Sequence, residues 1–261
     1  MCIVCALTIQ RALAAAGFKW KLVRQVPMLS PAQRTARVSF AQRHVRTRWR
    51  SIMFTNSKYF TMHPVDTKQR MWCAADTQPA AIGVPKHSPA LHVYMGVTWF
   101  GCTKLVLVSG GSTKSTYKND RGQLYRGVCA SEYQEKVLPE LLQGGCQLFA
   151  QSEVWRDQWM FQQDGPAIHR AKESIVIAST APGGLLSPWP ANSPDLSWIE
   201  NVWAWMDKKL RSRPVCTSTP HLWTGLNEFQ SSIPLHVLQN CVQSMPRRLQ
   251  DVVAGSGIAV R

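Results

Sequence analysis

Acidic residues are scarce in this 261-residue chain, 15 against 30 Lys and Arg, so the places they take are informative. Asp164 follows the apolar run WMF and two glutamines, with Gly165-Pro166 after it, and Glu200 follows SPDLSWI, beside Ile199. The residues between them leave room for one helix, one strand and a turn. That layout brings a strand-end carboxylate and a helix carboxylate to the same edge of a sheet. Paired carboxylates suit hard divalent cations, which prefer oxygen ligands. A third carboxylate from the first strand would let them hold two metals ~4 Å apart, the arrangement used for in-line attack on phosphodiesters. The same two residues also admit a plainer reading, with Asp164 capping a turn and Glu200 on the solvent side of a helix, paired with Lys208 or another cation.

The elements that must position these acids follow from the periodicity. SIMFTNSKYF (51–60) reads as a buried strand that runs into a polar turn at Asn56 and resumes with aromatics. MWCAAD, LHVYMGVTWFG and TKLVLVSG are strand-like runs between Gly, Pro, Asn and Asp turns, an antiparallel meander. SEYQEKVLPELLQ then reads as a helix, WMFQQD as a strand, His169 to Ser179 as a helix and GGLLSPWP as a further strand. Ser193-Pro194-Asp195 is expected to cap a long helix through about Arg211, with Leu196, Ile199, Trp203, Met206 and Leu210 on its core side. Strands followed by alternating β and α predict a mixed α/β domain around one central sheet.

The charge is concentrated. Net charge is +15, and residues 1–50 hold ten basic residues (Arg11, Lys19, Lys21, Arg24, Arg34, Arg37, Arg43, Arg46, Arg48 and Arg50) and no Asp or Glu. Either this is a solvated basic face or it meets a polyanion, nucleic acid first among them. LTIQRALAAAGFKW has helical spacing and stops at Gly17, and Ser30-Pro31 opens a second helix. Basic helices and linkers of this kind typically run along phosphates. No apolar run approaches the ~18 residues of a membrane-spanning helix. The eight cysteines form no framework, and the Cys2/Cys5 pair reads as two small hydrophobes. Free thiols in that number point to a reducing compartment.

FQQDGPAIHRAK followed by WPANSPDLSWIENVWAWMDKKL closely resembles the catalytic region of Tc/mariner superfamily transposases, whose second and third acids lie in QDxAPxH-like and WPxxSPDLxxIExxW-like motifs. TIQRALAAAGFKW and MLSPAQRTARVSFAQRH look like the end of that family's second helix-turn-helix and its linker. GVTWFG, YQEKVLPELL and SMPRRLQDVVAGSG are similar to later segments, so the likeness covers nearly the whole chain. It implies an RNase H-like central mixed sheet flanked by helices, with a short basic helical segment in front. It also implies Mg²⁺ or Mn²⁺ at a two-metal site, nuclear location, and cut-and-paste transposition of double-stranded DNA. The partners would be transposon ends and target, with a homodimer holding two ends. By the same likeness the chain divides into 1–50 (the tail of a helix-turn-helix and its linker), 51–215 (the catalytic domain) and 216–261 (the helical end of that domain).

On this likeness Asp164 and Glu200 match the second and third metal-binding acids, and His169 matches the histidine that follows the second. That histidine either contacts DNA or orients the site, or is packed for structure. Asn192 and Asp195 belong to the third motif, with Asp195 placed for the helix dipole. The family's first catalytic Asp falls in phrases such as FTDSKYF; here the phrase is FTNSKYF, so Asn56 takes the first metal-ligand position. An amide oxygen coordinates Mg²⁺ but carries no charge and cannot bridge two cations. A rate deficit on the order of 10²-fold or more is expected. Asp66 and Asp76 lie too far along the chain to substitute. The chain is expected to carry only the tail of the second DNA-reading module, leaving salt-sensitive, largely sequence-independent binding. The alternative function is a DNA-binding protein without catalysis.

Overall fold

The computed structural model describes residues 6–18, 28–62, 88–108, 116–118, 124–126 and 128–260. Helix α1 (Ala6–Ala15) is exposed from Leu7 to Ala15, and α2 (Pro31–His44) follows. The Ser30 hydroxyl accepts from the Gln33 N–H at 3.3 Å while the Gln33 side chain accepts from the Ser30 N–H at 2.9 Å, a reciprocal cap that starts α2 where the sequence predicts.

The main sheet is built on β1 (Ile52–Thr61), β2 (Ala90–Thr98), β3 (Gly101–Cys102), β4 (Val106–Val108) and β7 (Met160–Gln162), with β5 (Thr116–Lys118) and β6 (Leu124–Arg126) forming a separate hairpin. Strand order is β3-β2-β1-β7, and β4 also pairs with β2. β1 runs antiparallel to β2, Asn56 opposite Met95, and parallel to β7, Phe54 opposite Gln162. The sheet is therefore mixed, as predicted. β1 is one unbroken ten-residue strand. The polar turn expected at Asn56 does not form, because Asn56, Ser57 and Lys58 stay paired to β2 and simply face partly solvated surroundings. GGLLSPWP contributes only an isolated bridge, Phe161 to Leu185, since prolines at 188 and 190 cannot continue a ladder.

Helices cover both faces. One face is packed by α6 (Ile199–Arg211), α7 (Thr219–Ser231), α8 (Leu235–Gln243) and α9 (Met245–Ala254) over Ile52, Phe54 and Phe60. The other carries α3 (Ala130–Glu132), which continues through a π-helical stretch into α4 (Leu138–Phe149), and α5 (Lys172–Ala178), all over Met53 and Phe161. Alternation along β1 explains the division, since successive side chains point to opposite faces. Gly145 lets α4 approach closely, since a Cβ there would lie 2.5 Å from the Trp159 ring. All five residues predicted for the core side of the 195–211 helix are buried. That helix starts later than expected, at Ile199, because residues 193–198 are held as a loop by contacts to α2 and the C-terminal segment.

Candidate active site

The register of β1 and β7 places Asn56 and Asp164 two residues beyond the paired Phe54 and Gln162, so they lie side by side where β7 ends and β1 runs on alone beside β2. The Thr55 hydroxyl reinforces the alignment by donating to the Gln162 carbonyl at 2.7 Å. Glu200 arrives from above. Trp198, buried against Phe54 at a ring separation of 5.3 Å, seats the start of α6 over β1 and puts its first-turn carboxylate beside Asn56. The three side chains predicted as the site line one cleft of about 380 Å³, with Trp189, Asn192 and Ser193 in its opposite wall. Asn192 has φ 54°, a left-handed conformation that asparagine tolerates, and this turn places it on the cleft.

Within the cleft the Asn56 amide is doubly committed. Its Oδ1 accepts the Ser57 N–H at 2.7 Å, and its Nδ2 donates to Glu200 Oε1 at 2.7 Å. Turning the amide over would set oxygen against carboxylate and NH₂ against N–H, so its partners fix this orientation. Asp164 lies beside His169, whose Nδ1 is 2.8 Å from Asp164 Oδ1. The same nitrogen lies 3.3 Å from the Asp164 backbone carbonyl, which is its hydrogen-bonded partner. His169 itself is 3% exposed, lies 4.4 Å from the Tyr133 ring, and has its backbone carbonyl held by the Gln163 amide at 2.9 Å. It is packed, as one of the readings left open by the sequence has it, with its ring beside Asp164.

Burial pushes the Glu200 carboxyl above the usual carboxylate range. Lys58 and the Asn56 hydrogen bond pull it back, while the charges of Asp164 and Asp207 push it further up. Glu200 therefore feels Lys58 rather than the Lys208 envisaged from sequence; Lys58 itself is paired with Asp207 at 2.9 Å.

Those donors bear directly on a two-cation site. Two carboxylates converge, but where a third would present an oxygen, the amide presents an N–H to Glu200. Among the described residues no group of three or more His, Cys, Asp or Glu side chains is set to hold a metal ion. The donor set suits a single hard cation between Asp164 and Glu200, and it does not match the two-cation arrangement.

The predicted DNA-contacting residues separate into three groups. Arg11, Arg34, Arg43, Arg46 and Arg48 are exposed on α1, on α2 and just beyond it. Lys19, Lys21 and Arg24 lie outside the described residues, as do Asp66, Asp76 and the MWCAAD run. Arg37 is a correction: it is 0% exposed and pairs with Asp195 Oδ2 at 2.6 Å, so it faces the protein and cannot meet phosphate. Asp195 is accordingly an internal partner of Arg37 rather than a charge on a helix's first turn. A sequence signal was available, since Arg37 shares a helical face with Phe40, Ala41 and His44 at three-, four- and seven-residue spacing.

A mixed sheet covered by helices on both faces, with Asp164 just past the end of β7 and Glu200 in the first turn of the helix beside it, defines an RNase H-like domain. A family model described as a transposase, for the helix-turn-helix of the Tc3 kind, matches residues 2–46. Over 261 residues the chain is 25% identical to the Tcb2 transposable-element transposase of Caenorhabditis briggsae, covering 97% of this chain and 87% of that protein. The Mos1 mariner paired-end complex with Mn superposes with a TM-score of 0.76 at 17% identity, over 97% of this chain and 71% of that one. The catalytic domain of Mos1 mariner transposase gives 0.65 at 17% identity, over 91% of this chain and all of that one. The chain is thus similar in sequence to Tc-type transposable-element transposases and in fold to a mariner transposase.

Proposed function

We propose that this chain engages double-stranded DNA through its basic N-terminal fifth and presents phosphodiesters to the Asp164–Glu200 cleft, as a cut-and-paste transposase whose own chemistry is impaired at Asn56. The observation that carries the reading is the 2.7 Å bond from Asn56 Nδ2 to Glu200 Oε1. It supports a three-acid site with one position taken by an uncharged donor that hydrogen-bonds Glu200 instead of adding a third carboxylate. The residues keep definite tasks. His169 packs beside Asp164, Trp198 seats Glu200, and Lys58 moderates the charge that gathers in the cleft. Bound Mg²⁺ or Mn²⁺ would supply charge stabilisation at the reacting phosphate, and Asp164 and Glu200 are the residues to hold one such ion. On this reading the chain works in the nucleus, with two copies holding two transposon ends.

A second reading, a DNA-binding protein without catalysis, is favoured by the same amide. A divalent-cation-dependent cleavage and strand-transfer assay on the native chain, Asn56→Asp and Glu200→Ala separates them. All three are also to be assayed fused to an intact related DNA-binding region. Cleavage that appears with Asn56→Asp and is absent from the other two is the expected result. Cleavage by the native chain that Glu200→Ala abolishes would refute impairment at Asn56. Silence in every version, with DNA binding retained, would establish the non-catalytic reading.

A further inference from the structure

Behind the wall of the cleft lies a buried charge network that the acidic site does not use. All five N–H groups of Arg37 are engaged. Nη1 donates to Ser193 Oγ at 2.6 Å and Asp195 Oδ1 at 2.9 Å; Nη2 donates to Asp195 Oδ2 at 2.6 Å and the Ile258 carbonyl at 3.2 Å; Nε donates to the Gly257 carbonyl at 2.9 Å. Asp195 is equally saturated, with Oδ2 also accepting the Val260 N–H at 2.8 Å and its backbone carbonyl accepting from Arg248 Nη1 at 2.7 Å. Three segments distant in sequence are thus drawn to one guanidinium: α2, the loop 189–198 that walls the cleft, and the C-terminal stretch after α9. Gly257 permits the approach, since at φ +85° its backbone lies so close to α2 that any Cβ would overlap the Arg34 carbonyl.

The consequence is geometric. Ser193, which Arg37 grips, lines the cleft together with Asn56, Asp164 and Glu200. Arg37 is buried on the same helix that exposes Arg34 and Arg43 to solvent. A planar fork with bidentate carboxylate bonds transmits orientation as well as attraction, which a lysine point charge does not. We propose that Arg37 is a positioning residue: through Ser193 and Asp195 it ties the wall of the acidic cleft to the basic helix α2, so that DNA held by the exposed arginines of α2 sets the geometry of the cleft. The DNA-linked half of this inference rests on the proposed function.

Hydrogen–deuterium exchange of the full chain tests it, comparing native protein with Arg37→Lys and with Asp195→Asn, each with and without an arbitrary-sequence DNA duplex at low salt. Duplex binding is followed separately by fluorescence anisotropy. Without DNA, both variants are expected to speed exchange in residues 190–198 and 257–260 by roughly tenfold or more while the β1 and β2 amides keep their native rates. Asp195→Asn is nearly isosteric and covers the case in which Arg37→Lys fails to fold. With DNA, the native chain is expected to gain protection at 190–198. The variants are expected to bind the duplex through their exposed arginines yet show no such gain. Equal acceleration across β1 and β2, or no acceleration at 190–198, would overturn the positioning role. Equal DNA-induced protection in native chain and variants would overturn the coupling. Failure to bind the duplex at all would overturn the proposed function and the coupling together, while the DNA-free comparison would still decide the positioning role.

Discussion

Replacing Asn56 with aspartate puts the reading of the cleft at risk in a way that requires no catalysis. The native amide donates to Glu200 at 2.7 Å, and a hydrogen bond to a charged acceptor contributes about 1.5–3 kcal/mol. Asn56→Asp removes that donor and sets a second carboxylate against the first. Unit charges ~4 Å apart repel by about 4 kcal/mol at an effective dielectric of ~20. Both groups reach the water of the cleft, so screening and proton uptake relieve much of this, leaving a net loss of roughly 2–3 kcal/mol. For a domain of this size that is a fall in melting temperature of roughly 4–12 °C. The variant has also regained a third anionic ligand. Mn²⁺ at about a hundred times its dissociation constant would return ~2.7 kcal/mol. Calorimetry in EDTA and in Mn²⁺ is the assay, and the expected pattern is an unstable metal-free variant that Mn²⁺ restores, beside a native chain that responds little. A variant as stable as native in EDTA and indifferent to Mn²⁺ would refute the placement of Asn56 against Glu200.

Other expectations follow from the same geometry. Because the folded-state pKa of Glu200 is raised, chiefly by burial, its contribution to stability is fully present below the unfolded carboxylate pKa and is lost as pH rises through the folded value. Glu200→Gln should therefore melt slightly higher than native near neutral pH, with the difference vanishing in acid, and a pH series of melting curves decides the matter. Combined Arg34→Ala, Arg43→Ala and Arg46→Ala, all at exposed positions, should weaken duplex binding and lower the slope of log affinity against log salt by ~0.9 for each phosphate no longer neutralised. A slope that stays unchanged would move DNA off this helix.

How far the site was legible from sequence depended on how local each cue was. Ser30, Pro31 and Gln33 act on a single turn, so the start of α2 could be read directly. The acidic motifs could likewise be placed, because Asp164 rides the end of a short apolar run and Glu200 sits beside the buried stripe of its helix. Asn56 was legible as an anomaly of residue type, yet its setting was not: a polar Asn-Ser-Lys run looks like a turn until β2 is found alongside to pair it. Arg37 was misplaced for the related reason that a charged residue is assigned to solvent unless its partner is known, and Asp195 lies 158 residues away. The start of the 195–211 helix was missed because those same partners hold residues 193–198 out of helical conformation.

The sequence by itself determined the mixed α/β class of the fold, the concentration of positive charge in the first fifth, and the residue types available at the cleft. These depend on periodicity and composition, which neighbouring residues carry among themselves. The tertiary structure decided which groups meet. It turned the Asn56 donor toward Glu200 across 144 positions, took Arg37 out of the DNA-facing set, and joined α2 to the wall of the cleft. Hydrogen bonds act over about 3 Å, and only the folded chain brings residues so distant in sequence within that range.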